Sequence, residues 1–168
     1  MVQCRKPGTY TRTDTPGLPP ATQIGANTFG FLLNGQPWVP SGNNGSGNNL
    51  SISHDLGIRN GVIGIGAYKV LANLPNGEYF GLGYWSLNRI NAPITINLKD
   101  TSQSVCYFIT NNNCWLVSNY LDVSTSGNFY IDKYDKTKRI IAGRFEFTLE
   151  KIGCPIIRIS KGRFDFKF

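Results

Sequence analysis

The dipeptide Asn-Gly occurs four times, at 34–35, 44–45, 60–61 and 76–77. Both residues tolerate the positive φ of a type I′ turn, so Asn-Gly between alternating apolar runs is the strongest short-range sign of a β-hairpin. The runs between these points alternate with a period of two. Phe29, Phe31 and Leu33 share one side, and Leu50 and Ile52 make the next pair. Ile63, Ile65 and Ala67 oppose Gly64 and Gly66, and Phe80, Leu82 and Tyr84 oppose Gly81, Gly83 and Trp85. Ile94, Ile96 and Leu98 follow, then Val105, Tyr107 and Ile109, then Phe129 and Ile131. Period two is the strand signature, and no stretch shows the 3.6-residue period of a helix. About ten strands with turn signals between them predict an all-β antiparallel sandwich or flattened barrel with no significant helix.

The composition agrees. Nineteen Gly and only 16% charged residues are unlike a helical protein, while 40% hydrophobic and 12% aromatic residues suffice for a core. The seventeen Lys and Arg against ten Asp and Glu leave a net charge of +7, but the basic residues are scattered, so nucleic acid is not an expected partner. No apolar run is long enough for a membrane-spanning helix. Residues 5–25, with four Pro and no hydrophobic period, read as an extended, mobile tether, and residues 26–168 as one domain.

The chain ends by repeating itself: "GRFEF" at 143–147 and "GRFDF" at 162–166. In the first phrase Ile141, Phe145, Phe147 and Leu149 share the core parity, and Arg144, Glu146 and Thr148 the other. In the second, Phe164, Phe166 and Phe168 point in, and Arg163, Asp165 and Lys167 point out. Ile157 and Ile159 have the opposite parity to Phe164, so a bulge is required, with Gly162 the expected residue. The phrases are expected to be antiparallel neighbours whose outer charges pair across strands.

The segments "LPPATQIGANTFGFLLNGQPWVP", "FYIDKYDKTKRIIAGRFEFTL" and "ISKGRFDFKF" resemble an uncharacterised family of Bacteroidota lipoproteins. The likeness covers residues 18–40 and 127–168. It implies a mature chain opened by an acylated Cys, here Cys4, with the signal peptide removed. It further implies a polar tether and a lipid-anchored place in the cell envelope, the outer membrane being the expected membrane.

With Cys4 carrying lipid, Cys106, Cys114 and Cys154 remain. An exported chain permits a disulfide. A turn centred on the Asn run of "CYFITNNNC" does not set Cys106 opposite Cys114; Cys114–Cys154 is the first expectation, Cys106–Cys154 the next, and three buried free thiols the alternative.

Few residues point to catalysis. His54 is the single His, and adjacent Asp55 points to the opposite strand face, so the two make no dyad. There is no zinc motif, nucleophile elbow or phosphate-binding loop. "GVIGIGAYK" lies inside an alternating strand, where Gly64 and Gly66 let a bulky group lie close. Asp122, Asp132 and Asp135 sit near turns, and Lys133 and Lys136 disfavour calcium there. No cofactor, metal or catalytic residue is expected.

Aromatic residues offer a platform for a ligand. Tyr79, Trp85, Tyr84 and Trp38 are the leading candidates, with Trp115, Tyr107 and Tyr120 beside them. In "EYFGLGYW", Tyr79 and Trp85 share a side with two Gly, so flat rings flank bare backbone. The expectation is a non-enzymatic accessory or binding domain of the envelope, its partner an envelope protein or a glycan. A carbohydrate-binding module of a glycan-uptake system is the alternative. A carboxylate-based hydrolase, with two facing acids and one raised pKa, is a third.

Overall fold

The computed structural model describes residues 15–42, 49–70, 77–110 and 114–168. Among them are eleven strands: β1 Thr28–Leu33, β2 Gln36–Trp38, β3 Leu50–Asp55, β4 Val62–Lys69, β5 Glu78–Trp85, β6 Ile94–Asn97, β7 Ser104–Ile109, β8 Trp115–Val117, β9 Ser124–Asp135, β10 Ile140–Glu150 and β11 Ile157–Lys167. The described helical structure is one 3₁₀ turn, Leu87–Arg89. No described helix is long and apolar enough to cross a membrane. The strands form a six-stranded sheet, β2-β1-β11-β10-β9-β6, and a five-stranded sheet, β3-β4-β5-β7-β8. Every pairing between these strands is antiparallel and neither sheet closes on itself, so the architecture is a β-sandwich.

Asn34-Gly35 makes the first hairpin. Both residues have positive φ (48° and 86°), and Leu33 pairs with Gln36 across them. Asn60 and Gly61 also have positive φ, at the end of the β3–β4 connection. The Asn-Gly pair at 44–45 and Asn76 lie outside the described residues.

The core is an aromatic stack between the sheets. Phe80 of the five-stranded sheet lies 5.0 Å from Phe29, 5.2 Å from Phe31 and 5.1 Å from Phe145 of the six-stranded sheet. These separations suit tilted ring packing, which adds to the area each ring removes from water. On β7 the core side is Ser104, Cys106 and Phe108, not Val105, Tyr107 and Ile109, which face outward. Apolar residues occupy both sides of this strand, so alternation alone could not choose between them.

The repeated ending has a reciprocal explanation. β10 and β11 are antiparallel neighbours; Gly143 pairs with Phe164, Gly162 with Phe145, and Arg144 with Arg163 between them. A Cβ on Gly162 would stand 2.4 Å from the Phe145 ring, and one on Gly143 would stand 2.0 Å from the Tyr130 carbonyl oxygen and 2.7 Å from the Phe164 ring. Each phrase supplies a glycine that makes room for the other's phenylalanine. The register shift falls between these pairings and Phe147↔Ile159, where Lys161 has φ 52°. Against β10 the bulge sits at Ser160–Lys161, with Gly162 paired to Phe145; against β1 the shift falls at Lys161–Gly162, opposite Phe31, so the expected Gly162 takes part in the bulge on that side.

The outer side of this sheet differs from the expectation of a solvated charged face. Residues 15–26 lie across it as a strap. Asp165 is 1% exposed, and Arg163 is buried too. The Asp165 carboxylate accepts hydrogen bonds from the Thr22 hydroxyl (2.6 Å) and the backbone N–H groups of Ile24, Gly25 and Ala26 (3.0, 2.7 and 3.2 Å). Burial pushes its pKa up, but the four donors outweigh that and hold it below the ordinary carboxylate value. Arg163 donates to Pro19 O and the Thr15 hydroxyl, and Lys133 to Gln23 O. Arg144 turns instead to Asp132 on β9, with two 2.8 Å hydrogen bonds. Residues 15–25, expected to be mobile, are thus tied to the sheet. The rest of the expected tether, with Cys4, lies outside the described residues.

Candidate functional site

The outer side of the five-stranded sheet is built in rows fixed by register. Tyr68, Tyr79, Ile109 and Trp115 are successive cross-strand partners on β4, β5, β7 and β8. Three strand spacings make this row about 14 Å wide. Tyr79 is 41% exposed and Trp115 52%. The Tyr68 and Tyr79 rings lie 4.2 Å apart. The hydrogen bond to Tyr68, then burial, raises the Tyr79 phenol above its ordinary pKa.

The next two rows are nearly bare. Ser51, Gly66, Gly81 and Tyr107 form one; Ser53, Gly64, Gly83 and Val105 form the other. Together they floor a shallow trough of about 350 Å³. Tyr107 lies over Gly81, where an added Cβ would fall 1.9 Å from its ring, so Gly81 makes room for that ring. Gly64 and Gly66 differ. Apart from a distant Ser53 Cβ, an added Cβ there would meet only the hydroxyl oxygens of Ser53 (2.6 Å) and Ser51 (2.8 Å). Those hydroxyls rest against the carbonyls of Gly64 and Gly66 at 3.4 and 3.3 Å.

Trp85 closes the far end, about 20 Å from Tyr79 along β5. Its indole N–H donates to Ser102 O at 2.7 Å, and the Arg59 guanidinium lies 5.3 Å from the ring centre. Aromatic ends, a bare floor and the Ser51, Ser53 and Tyr107 hydroxyls make a surface that can bind a flat ligand.

The expected platform is thereby corrected. Tyr79 and Trp85 lie on this outer face, but Tyr84 (6% exposed) and Trp38 (1%) belong to the core. Tyr84 shares the inward side of Phe80 and Leu82. Trp38 stacks on Phe31 at 4.7 Å, and its indole N–H donates to the Glu78 carboxylate at 2.7 Å. Tyr120 is exposed on the β8–β9 turn, away from these rows. Sequence reasoning missed Tyr68, although it has the parity of Gly64 and Gly66 in the same strand. Ser51 and Ser53 were legible in the same way, opposite in parity to Leu50 and Ile52.

Cys114 and Cys154 are joined in a disulfide across 40 residues, and Cys106 is a buried free thiol. Burial pushes the Cys106 pKa up to about 12, so it is no thiolate nucleophile at neutral pH. The bridge ties β8, the three-residue edge strand that carries Trp115, to the β10–β11 connection.

His54 stacks on Phe168 at 3.9 Å, with Nε2 2.8 Å from the Tyr134 hydroxyl. Burial, then Arg139 and Lys136, lower its pKa. Asp55 turns to the backbone N–H of Gly57. Asp122 pairs with Lys151 at 2.9 Å, and Asp135 accepts from the Lys138 N–H in a turn. Hydrogen bonds and, at Asp122, Lys151 hold the Asp100, Asp122 and Asp165 carboxyls below the ordinary carboxylate value. No described group of three or more His, Cys, Asp or Glu side chains could hold a metal. A larger cleft, about 710 Å³, opens where β1 approaches β3, but its walls include Phe29, Ile52 and Phe166, which belong to the inter-sheet packing.

Comparison of the chain with protein-family models, with curated proteins and with solved structures finds no match in any of the three.

Proposed function

We propose that the chain is a non-enzymatic binding domain of the bacterial cell envelope, held to a membrane through lipid on Cys4. It engages its partner with the outer face of the five-stranded sheet. The carrying observation is the aromatic row Tyr68–Tyr79–Ile109–Trp115 beside a glycine floor, on the face that the strap leaves uncovered. Trp and Tyr are the residues that most often anchor interfaces, because they bury large area with little rotamer entropy. The Cys114–Cys154 bridge supports an oxidising compartment. The resemblance to envelope lipoproteins supports the tether, which would raise the local concentration of the domain at the membrane.

The test is binding of the labelled chain to envelope fractions of its source cells. Tyr79→Ala/Trp115→Ala is expected to lose at least tenfold in affinity. Leu121→Ala, an exposed turn residue away from the face, is expected to bind as wild type. Equal binding by all three proteins would refute the assignment of the face.

A further inference from the structure

Gly64 and Gly66 are the least explained residues of the fold. Glycine inside a strand weakens it, through chain entropy and a missing side chain. It persists where something must come close to the backbone. Gly143, Gly162 and Gly81 each have that something: the rings of Phe164, Phe145 and Tyr107. Gly83 lies under Val105, whose methyl would stand 3.1 Å from an added Cβ. Gly64 and Gly66 have only two rotatable hydroxyls near them, and neither has a positive φ that would demand glycine.

We infer that a neutral glycan chain occupies the trough, its sugar rings lying on Gly64 and Gly66 between the Tyr79 and Trp85 ends. This rests on the binding face proposed above and names its ligand. Three properties of the trough select the class. First, none of the side chains lining the trough floor carries a charge; the Arg59 guanidinium stands only at the Trp85 end, so the floor itself does not use the +7 net charge. Second, β4 and β5 are interior strands whose backbone groups are consumed by ladders on both sides. The polar partners left are the hydroxyls of Ser51, Ser53 and Tyr107. Each serine points its proton toward a glycine carbonyl and keeps lone pairs for an incoming hydroxyl. Third, the floor is backbone rather than aliphatic side chain. A folded protein partner would need an apolar interface core, and an extended peptide would add to a sheet edge rather than lie on its face. A pyranose presents a flat C–H surface with hydroxyls around its rim. Its polarised C–H groups suit the electron-rich faces of Tyr79 and Trp115, and its rim suits the serines.

The 168-residue chain is run in affinity electrophoresis through gels containing neutral polysaccharides, and on an array of neutral and anionic glycans. Gly64→Ala/Gly66→Ala is the main variant, because the added methyls raise the floor and displace only hydroxyls. We expect wild type to be retarded by at least one neutral polysaccharide, with no gain for anionic glycans at 0.15 M salt. The glycine variant should lose at least tenfold in affinity while its Tm stays the same or rises. Ser51→Ala/Ser53→Ala, which leaves the floor open, should lose affinity without losing stability. Wild type bound by no neutral glycan would overturn the inference. So would retention of glycan binding by the glycine variant with an unchanged Tm. If face variants still lost envelope binding while no glycan bound, and protease treatment of the envelope abolished wild-type binding, the ligand would be a protein. The face would then stand and the glycan would fall.

Discussion

The two outer faces of this sandwich are treated in opposite ways. On the six-stranded sheet, the chain lays its own residues 15–26 across the strands and fastens them to the buried Asp165 carboxylate. Gly30 of β1 lies under Pro19 of that strap, where an added Cβ would come within 2.9 Å of the ring. On the five-stranded sheet nothing described from the chain covers Gly64 and Gly66. The strap fills the space over Gly30 on one face; on the other, Gly64 and Gly66 meet only the Ser53 and Ser51 side chains. A strand glycine alone is uninformative, and its neighbours decide whether it serves packing or recognition. The faces also differ in how they are secured. The covered face is held by hydrogen bonds to a charge, and the open face depends at its edge on a covalent bridge.

That difference predicts where each face breaks. The largest effect belongs to the bridge. β8 pairs only with β7, over three residues, and a short edge strand of this kind is marginal by itself. Closing a loop of 40 residues removes chain entropy from the unfolded state worth about 4 kcal/mol. Reduction, or Cys114→Ala/Cys154→Ala, is expected to lower the urea midpoint accordingly. Trp115 would lose its fixed place, so binding at the open face should fall while the strap remains protected from proteolysis. An unchanged midpoint after full reduction would contradict this account.

The strap comes second. Hydrogen bonds to a charged group contribute more than neutral ones, and Asp165 accepts four. Asp165→Ala is expected to cost about 3 kcal/mol and to expose residues 15–26 to protease. Asp165→Asn, which keeps one acceptor oxygen, should cost about half as much. The pH dependence has a definite sign. The folded pKa lies below the unfolded value of about 3.9, so the stabilisation is fully present above that pH. It is lost as pH falls through the lowered folded value. Urea midpoints from pH 7 down to pH 2 should show a steeper acid limb for wild type than for Asp165→Asn. Parallel limbs would assign the acid sensitivity to other groups.

The sequence was most legible where one mechanism acts alone. Asn34-Gly35 and the alternation of β4, β5 and β10 placed strands and core sides, because turn chemistry and burial agree there. Period two failed on β7, where Val105, Tyr107 and Ile109 are as apolar as the inward residues; which side is buried depends on the facing sheet. It failed for Asp165 because a charged residue on the outer parity reads as solvated unless a distant segment is known to lie over it. Residues 143 places away in sequence supply that cover, and no local pattern encodes it. The candidate face was half legible. Tyr79, Trp85 and Trp115 were named from aromatic chemistry, and Tyr84 was wrongly grouped with them although its parity matches Phe80 and Leu82. Tyr68 shares the parity of Gly64 and Gly66, but it reaches the aromatic row only through its pairing with Tyr79, which the local pattern of β4 does not encode.

The smallest effect is the most discriminating for the comparison. If the open face exists for a ligand, its rings contribute little to folding, unlike the side chains of the covered face. Tyr79 and Trp115 are among the more exposed large residues, and each leaves much of its surface in water. Tyr79→Ala/Trp115→Ala is therefore expected to cost about 1 kcal/mol or less, close to the range of ordinary surface substitutions. Asp165→Ala, a single change on the other face, should cost about three times as much. Calorimetry of the two variants beside wild type checks the ratio. A double variant as destabilised as Asp165→Ala would mean that the aromatic row is part of the packing. Its loss of ligand binding would then follow from unfolding rather than recognition, and the contrast between the faces would disappear.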